Sequence, residues 1–302
     1  MNLKGATIGL AICLVFYGML FAEGQKQPAA ESDQQISEFN LAGYADKGKK
    51  SWDLSGKSAD IYTDVIKLND ITGNLYGDKE NVKLTSDTGD FNKAEGKVHL
   101  EKNVLITTTS GAKLTTNSLD WDRKNQQVST KEPVNIERDN MITTAIGAKG
   151  EPNLKKVTLE KDVQVNINPQ KHADAAKKQE SKIVITCDGP LQIDYDKNIA
   201  TFNKNVKVDK DESQIYSDIM DVYFLKDQSA APVAGKDKLA SNPMGSKIDK
   251  IVARGDVKIV KGENVSYSDE AIYSALDRKI TLNGRPKLII YSKEDLNASL
   301  GN

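Results

Sequence analysis

The sequence predicts an all-β protein made from a unit of about 30 residues that repeats along the chain. Three observations carry that expectation. The first is a spacing. Val98-His99-Leu100-Glu101-Lys102-Asn103-Val104-Leu105-Ile106 sets apolar residues at alternate positions, interrupts them with polar residues, and then resumes. Period-two alternation marks a strand with one buried face, and the polar triplet reads as a tight turn between two strands. The second is recurrence. Val128, Thr130, Val134 and Ile136 repeat the frame around Lys131-Glu132-Pro133, and Val157, Leu159, Val163 and Val165 repeat it around Glu160-Lys161-Asp162. Ala200, Phe202, Val206 and Val208 follow around Asn203-Lys204-Asn205, and Ile251, Ala253, Val257 and Ile259 around Arg254-Gly255-Asp256. Ile280, Leu282, Pro286 and Leu288 close the series around Asn283-Gly284-Arg285, which reads as a hairpin turn with Gly supplying positive φ. The third is composition: β-branched residues recur in the frames, and small turn residues are plentiful.

Successive copies start 30, 29, 43, 51 and 29 residues apart, and each long interval holds a polar insertion. Units of this length bury their apolar face by stacking on neighbours. Phe91, Trp121 and Tyr273 each stand seven residues ahead of a frame, and Tyr195 stands five ahead of another.

The 302 residues are 28% charged with a net charge of -1, both signs interspersed, so no basic surface for nucleic acid is implied. Of the two cysteines, Cys13 lies in an N-terminal apolar segment and Cys187 in an expected strand. No disulfide framework and no metal-ligand spacing follow from them.

Along the chain, residues 1–24 read as an export segment. Lys4 precedes an apolar run over 5–22, and Ala22-Glu23-Gly24 resembles a cleavage site, while 18 residues is also just enough to span a bilayer. The expectation is a single uncleaved inner-membrane anchor with a periplasmic remainder, the alternative a soluble periplasmic protein after cleavage. Ile12 before Cys13 argues against lipidation there. Residues 25–38 read as a tether, 39–167 as a first β segment, 168–182 as a charged linker, and 183–302 as a second β segment. A further insertion at 226–247 reads as a mobile loop.

Enzymatic constellations are thin. His99 lies between Val98 and Leu100, facing away from the apolar side, and His172 falls in the linker. No triad is in view, no catalytic residue is assigned, and no cofactor or metal is expected. Asp87, Asp90, Asp120, Asp122, Asp194, Asp196, Asp218 and Asp221 read as a solvated outer face. What remains is the apolar face. Two facing sheets close it as a sandwich or jelly roll, and incomplete closure leaves an apolar groove suited to acyl chains. The inner face is assigned to Val98, Leu100, Val104, Ile106, Trp121, Val134, Ile136, Val157, Leu159, Val163, Val165, Tyr195, Phe202, Val206, Val208, Val257 and Ile259.

Several stretches resemble a known family. Ser51-Trp52-Asp53-Leu54-Ser55-Gly56-Lys57-Ser58-Ala59 looks like the opening of the LptC-type lipopolysaccharide-transport proteins, and Val82-Lys83-Leu84-Thr85-Ser86-Asp87-Thr88-Gly89 onward to Val163 looks like their core. Cys187-Asp188-Gly189-Pro190-Leu191 and Asn203-Lys204-Asn205-Val206 are similar to the OstA/LptA-type unit, as are 213–224 and 249–288. The resemblance implies an open, twisted β-jelly roll behind an N-terminal apolar helix. It implies a non-enzymatic carrier of lipopolysaccharide, docked to inner-membrane ABC transporter subunits. Edge strands would pair with other OstA-like jelly-roll proteins, here through Leu288, Ile289, Ile290 and Tyr291. The chain departs from the LptC-type pattern in its length, since an LptA-like segment follows in the same chain. Two alternatives stand beside this reading: a structural or adhesive β-solenoid with a closed core and no lipid, and a polysaccharide-processing enzyme on a β scaffold. Charged substitution at Leu100, Ile106 or Val165 is expected to cut crosslinking to lipopolysaccharide in a folded protein.

Overall fold

A computed structural model describes residues 32–44, 48–77, 80–138, 140–168, 181–225, 248–277 and 279–291. The expected export segment (1–24), most of the 168–182 linker and the 226–247 insertion lie outside the described residues. The described residues carry only strands and turns: β1 (Gln34–Tyr44), β2 (Lys50–Ile61), β3 (Val65–Tyr76), β4 (Asn81–Asn92), β5 (Lys97–Thr108), β6 (Lys113–Asp122), β7 (Gln127–Arg138), β8 (Met141–Gly150) and β9 (Lys156–Ile167). There follow β10 (Ile183–Cys187), β11 (Leu191–Asp194), β12 (Ile199–Lys210), β13 (Ser213–Phe224), β14 (Ile248–Lys261), β15 (Asn264–Ser274), β16 (Lys279–Asn283) and β17 (Lys287–Ile289). Among them no helix is long and apolar enough to cross a membrane.

Every pairing is antiparallel, and the sheet follows chain order from β1 to β9. β10 and β11 together fill one strand position between β9 and β12. The order continues to β15, on which β16 and β17 share one position. The ladder therefore runs directly from the first β segment into the second through β9, β10 and β12. β1 begins at Gln34, inside the stretch read as a tether, because Gln34 to Ser37 pair with Ile61 to Ser58.

The hairpins at one end share a local cause. Asn92, Asp122 and Asp194 accept hydrogen bonds at their side-chain oxygens from the amides of Glu95, Asn125 and Lys197 (2.9, 3.0 and 3.0 Å). Gly96, Gln126 and Asn198 then take positive φ (70°, 51° and 54°) to lead into the next strand. An Asx residue opening the turn and a left-handed residue closing it are the elements of these short loops.

The polar triplets inside the frames behave differently from the expectation. They are not hairpin turns. Glu101-Lys102-Asn103 lies within β5, which pairs with β4 on both sides of a register shift between Thr85 and Thr88. Lys102 and Asn103 adopt φ of 63° and 51°, so the strand bends and continues. The same holds at Lys204 and Asn205 (65° and 51°) and at Gly255 and Asp256 (78° and 42°). Asn283-Gly284-Arg285, read as a hairpin, is likewise a corner, since β16 and β17 both pair with β15. Two consecutive left-handed residues bulge a strand rather than reverse it when the neighbouring strand bends with it.

The bends fold the sheet in half. A straight twelve-residue strand spans about 36–40 Å. Yet Arg138, which ends β7, stacks its guanidinium 4.4 Å from the ring centroid of Tyr195. Tyr195 stands level with the start of β7, because Asp194 pairs with Lys156 and Val157 reaches Val128 through Gly150. Arg123 and Trp52, 4.1 Å apart, also come from opposite ends of the ladder. Each long strand thus contributes one half to a first wall and the other half to a second. A crease of bulges joins the walls, and two rows of hairpins form the lips of a mouth.

Candidate functional site

The space between the walls holds the assigned inner-face residues. Leu100, Leu159 and Val165 are fully buried, and Val98, Val104, Ile106, Trp121, Val134, Ile136, Val157, Val163, Phe202, Val206 and Val257 are buried with them. Tyr195, Val208 and Ile259 are half-buried and pack against this cluster. Every assigned residue therefore points into the seam, and side chains fill it at most of these positions. The filling thins toward the C-terminal strands. There Ile215, Ile251, Ile259 and Leu282 are only partly covered, and Ile280 and Leu288 stand 52% and 60% exposed.

The frames supplied only half of the seam. The other half comes from β4, β6, β8, β13 and β15, where inward positions step by two, then by three across the crease, then by two again. Val82, Leu84, Ser86 and Gly89 follow that rule in β4, and Leu114, Thr116, Leu119 and Trp121 follow it in β6. Phe91, Trp121 and Tyr273, the aromatics seven residues ahead of three frames, are the visible end of this second pattern. At the crease it places small residues, Ser86, Thr116, Ala145, Ser217 and Ser268, all buried where a bent strand leaves least room. Thr116 Oγ1 donates to the Pro133 carbonyl (3.0 Å), whereas Ser217 Oγ and Ser268 Oγ have no partner.

The mouth is held by two cation–π stacks between the lips. Arg123 lies over Trp52 at 4.1 Å and reaches Phe91 at 5.5 Å. Burial pulls its guanidinium below the ordinary value, though such a group stays charged. Arg138 is buried, and besides Tyr195 it donates from Nη2 to Ser110 Oγ (2.6 Å), while its Nε has no partner. Ser110 in turn donates to Glu80, so a cation and a carboxylate are linked through one hydroxyl. Cross-strand glycines make room for the rings: Gly43 lies opposite Trp52 and Gly56 opposite Phe39.

Outside the seam, His99 faces outward as expected but is clamped, with Nδ1 2.6 Å from Asp120 and Nε2 3.2 Å from Glu101. Burial works to lower its pKa, and the two carboxylates outweigh that and raise it. Asp221 departs from the expected solvated carboxylates. It is buried, accepts from Thr201 Oγ1 (2.7 Å) and bonds Arg254. Cys187 is a buried strand residue, and burial pushes its thiol up. Among the described residues no group of His, Cys, Asp and Glu is arranged to hold a metal.

Among the described residues both edges of the sheet are unpaired. There β17 pairs only with β15, and Leu288, Ile290 and Tyr291 around it are exposed. At the other edge β1 pairs, among the described residues, only with β2, with Ile36, Leu41 and Tyr44 exposed.

A bent antiparallel sheet with one apolar side, continued through two sequence segments, accords with two family matches. Residues 6–168, more than half of the chain, match the lipopolysaccharide-assembly, LptC-related family. The chain belongs to the LptC-related family. Residues 189–299 match a second description, the LptA/(LptD N-terminal domain) LPS transport protein. No curated protein matches the chain. This LptC-related chain thus carries an LptA-like segment on the same sheet, and both descriptions assign it a role in lipopolysaccharide transport.

Proposed function

We propose that this chain is a non-enzymatic bridge component that carries lipopolysaccharide by its acyl chains between the two walls. On this reading, residues 1–24 anchor it in the inner membrane beside ABC transporter subunits. The sheet stands in the periplasm, and the β17 edge receives another OstA-like jelly-roll protein on the way to the outer membrane. The observation that carries the reading is the seam: one largely apolar face, interrupted by small hydroxyl residues such as those at the crease, continues from β2 to β15 and loosens toward the C-terminal strands.

Loading requires the walls to part where they are packed. Each methylene taken into the seam contributes about 0.8 kcal/mol, so a chain of about a dozen carbons supplies on the order of 10 kcal/mol to replace wall-to-wall contacts. The half-filled C-terminal end separates at least cost. A closed structural β protein also packs its seam, and the family membership favours the transport role over it.

The burial also corrects the mutational test. Aspartate at Leu100, Ile106 or Val165 enters a fully packed core and unfolds the protein, because an unpaired buried charge costs several kcal/mol. Photocrosslinking residues at the half-buried Val208 and Ile259 are the suitable probes. Crosslinks to lipopolysaccharide are expected from these positions in the full chain in cells, and none from the outward Thr158. Equal labelling at Thr158, or none at Val208 and Ile259, rejects an acyl-chain seam.

A further inference from the structure

On the outer face of the second wall, five strands line up one residue each. Lys207 of β12 pairs with Tyr216 of β13, Tyr216 with Lys258 of β14, Lys258 with Tyr267 of β15, and Tyr267 with Lys287 of β17. The result is an alternating lysine–tyrosine row across the LptA-like segment. Flanking residues in β12 to β15, Val206, Ser217, Val257 and Ser268, are buried on the inner side, so the row faces outward.

One of the three lysines of the row is held in an internal ion pair. Lys207 is paired with Asp209 (2.9 Å) and lies over the Tyr216 ring at 5.9 Å, with Lys258 5.6 Å from the same ring. Among the described residues no carboxylate pairs with Lys258 or Lys287. Tyr267 is 39% exposed between them. Tyr216, Lys258, Tyr267 and Lys287 line a concavity of about 700 Å³ together with Arg285, Asp256 and Asp269.

We propose that this concavity binds a phosphorylated saccharide. Its volume is that of a small-ligand site rather than a macromolecular footprint. Lys258, Lys287 and the exposed Arg285 supply unpaired or weakly paired cations for a phosphate, Arg285 standing 3.9 Å from Asp269. Asp256 and Asp269 supply acceptors for sugar hydroxyls, which a simple anion does not need. The Tyr267 face offers an apolar surface for the C–H side of a pyranose ring. A site for an acidic peptide would place cations without the two carboxylates, so the mixed lining favours the sugar. This assignment goes beyond the acyl-chain seam and does not rest on it, since the row lies on the opposite face of the wall.

The test uses the full chain and glucosamine 6-phosphate, followed by calorimetry and saturation-transfer NMR, with glucosamine, inorganic phosphate and a poly-glutamate peptide as comparators. Saturable binding of the sugar phosphate is expected, weakened at least tenfold (about 1.4 kcal/mol) in the Lys258→Gln, Lys287→Gln double variant and likewise in Tyr267→Ala. Both variants alter outward side chains, and circular dichroism checks that they fold. Absence of saturable binding overturns the proposal, as does equal binding of inorganic phosphate, preference for the peptide, or retention of affinity in the variants. Crosslinking at Ile259 reads the seam separately, so the two readings fail independently.

Discussion

Removing the Arg138 guanidinium should release one latch of the mouth. Arg138 is 6% exposed and spans from the end of β7 to Tyr195 on the opposite lip. Arg138→Ala loses a charge-assisted hydrogen bond to Ser110, about 1.5–3 kcal/mol, and a desolvated cation–π stack, about 1–2 kcal/mol. Ser110 keeps Glu80 and Thr108 as partners, so no new orphan is left behind. The expected loss is therefore about 3 kcal/mol, felt first as local opening. Amide exchange should speed up at Met141 and Ile142 on one lip and around Lys197 on the other, while β13 to β15 remain protected. A double-mutant cycle with Tyr195→Leu isolates the contact between the lips and should give a coupling of about 1 kcal/mol. Additivity of the two changes, or unchanged exchange at both lips, would refute a latch across the mouth. In cells the same variant should raise crosslinking from Val208, since a freed mouth admits chains more readily.

The corner residues are testable by conformation alone. Asn103→Val places a β-branched residue at φ 51° and removes the 2.8 Å bond from Asn103 Nδ2 to Asp87. A loss of about 2 kcal/mol in denaturant unfolding is expected, whereas Asn103→Gly should cost less than half of that; equal effects would deny the left-handed requirement. Gly43→Val sets a Cβ 1.9 Å from the Trp52 indole Nε1, so Trp52 must leave its place beneath Arg123. Red-shifted tryptophan fluorescence with faster exchange at the 122–127 hairpin checks it. His99 has a raised pKa in the folded chain, so its contribution to stability is fully present below about pH 6.5, the unfolded value, and disappears as pH rises through the folded value. His99→Asn should abolish that step in the melting temperature, and an NMR titration placing His99 below 6.5 would contradict the clamp.

The sequence alone determined which residues of the repeating frames face inward. Alternation around each polar triplet assigned Leu100, Leu159, Phe202 and their counterparts to one side, because side-chain direction in a strand is set by residue parity. It also marked where the backbone does something special, since adjacent polar residues such as Lys204-Asn205 tolerate left-handed φ. It did not reveal whether the chain reverses there or bends. That depends on the neighbouring strand: Asp188, bonded by Asn205 Nδ2 at 2.5 Å, sits at a corner of its own, so the pair bends together. The second half of the seam stayed hidden for the same reason, because a step of three across a crease looks like lost alternation until the crease is known. The latches, Arg123 on Trp52 and Arg138 on Tyr195, join residues 71 and 57 positions apart. The lysine–tyrosine row likewise draws single residues from five strands. Only the register of the folded sheet brings such groups together, because the physics of one strand carries no record of which strand lies beside it or which lip lies opposite.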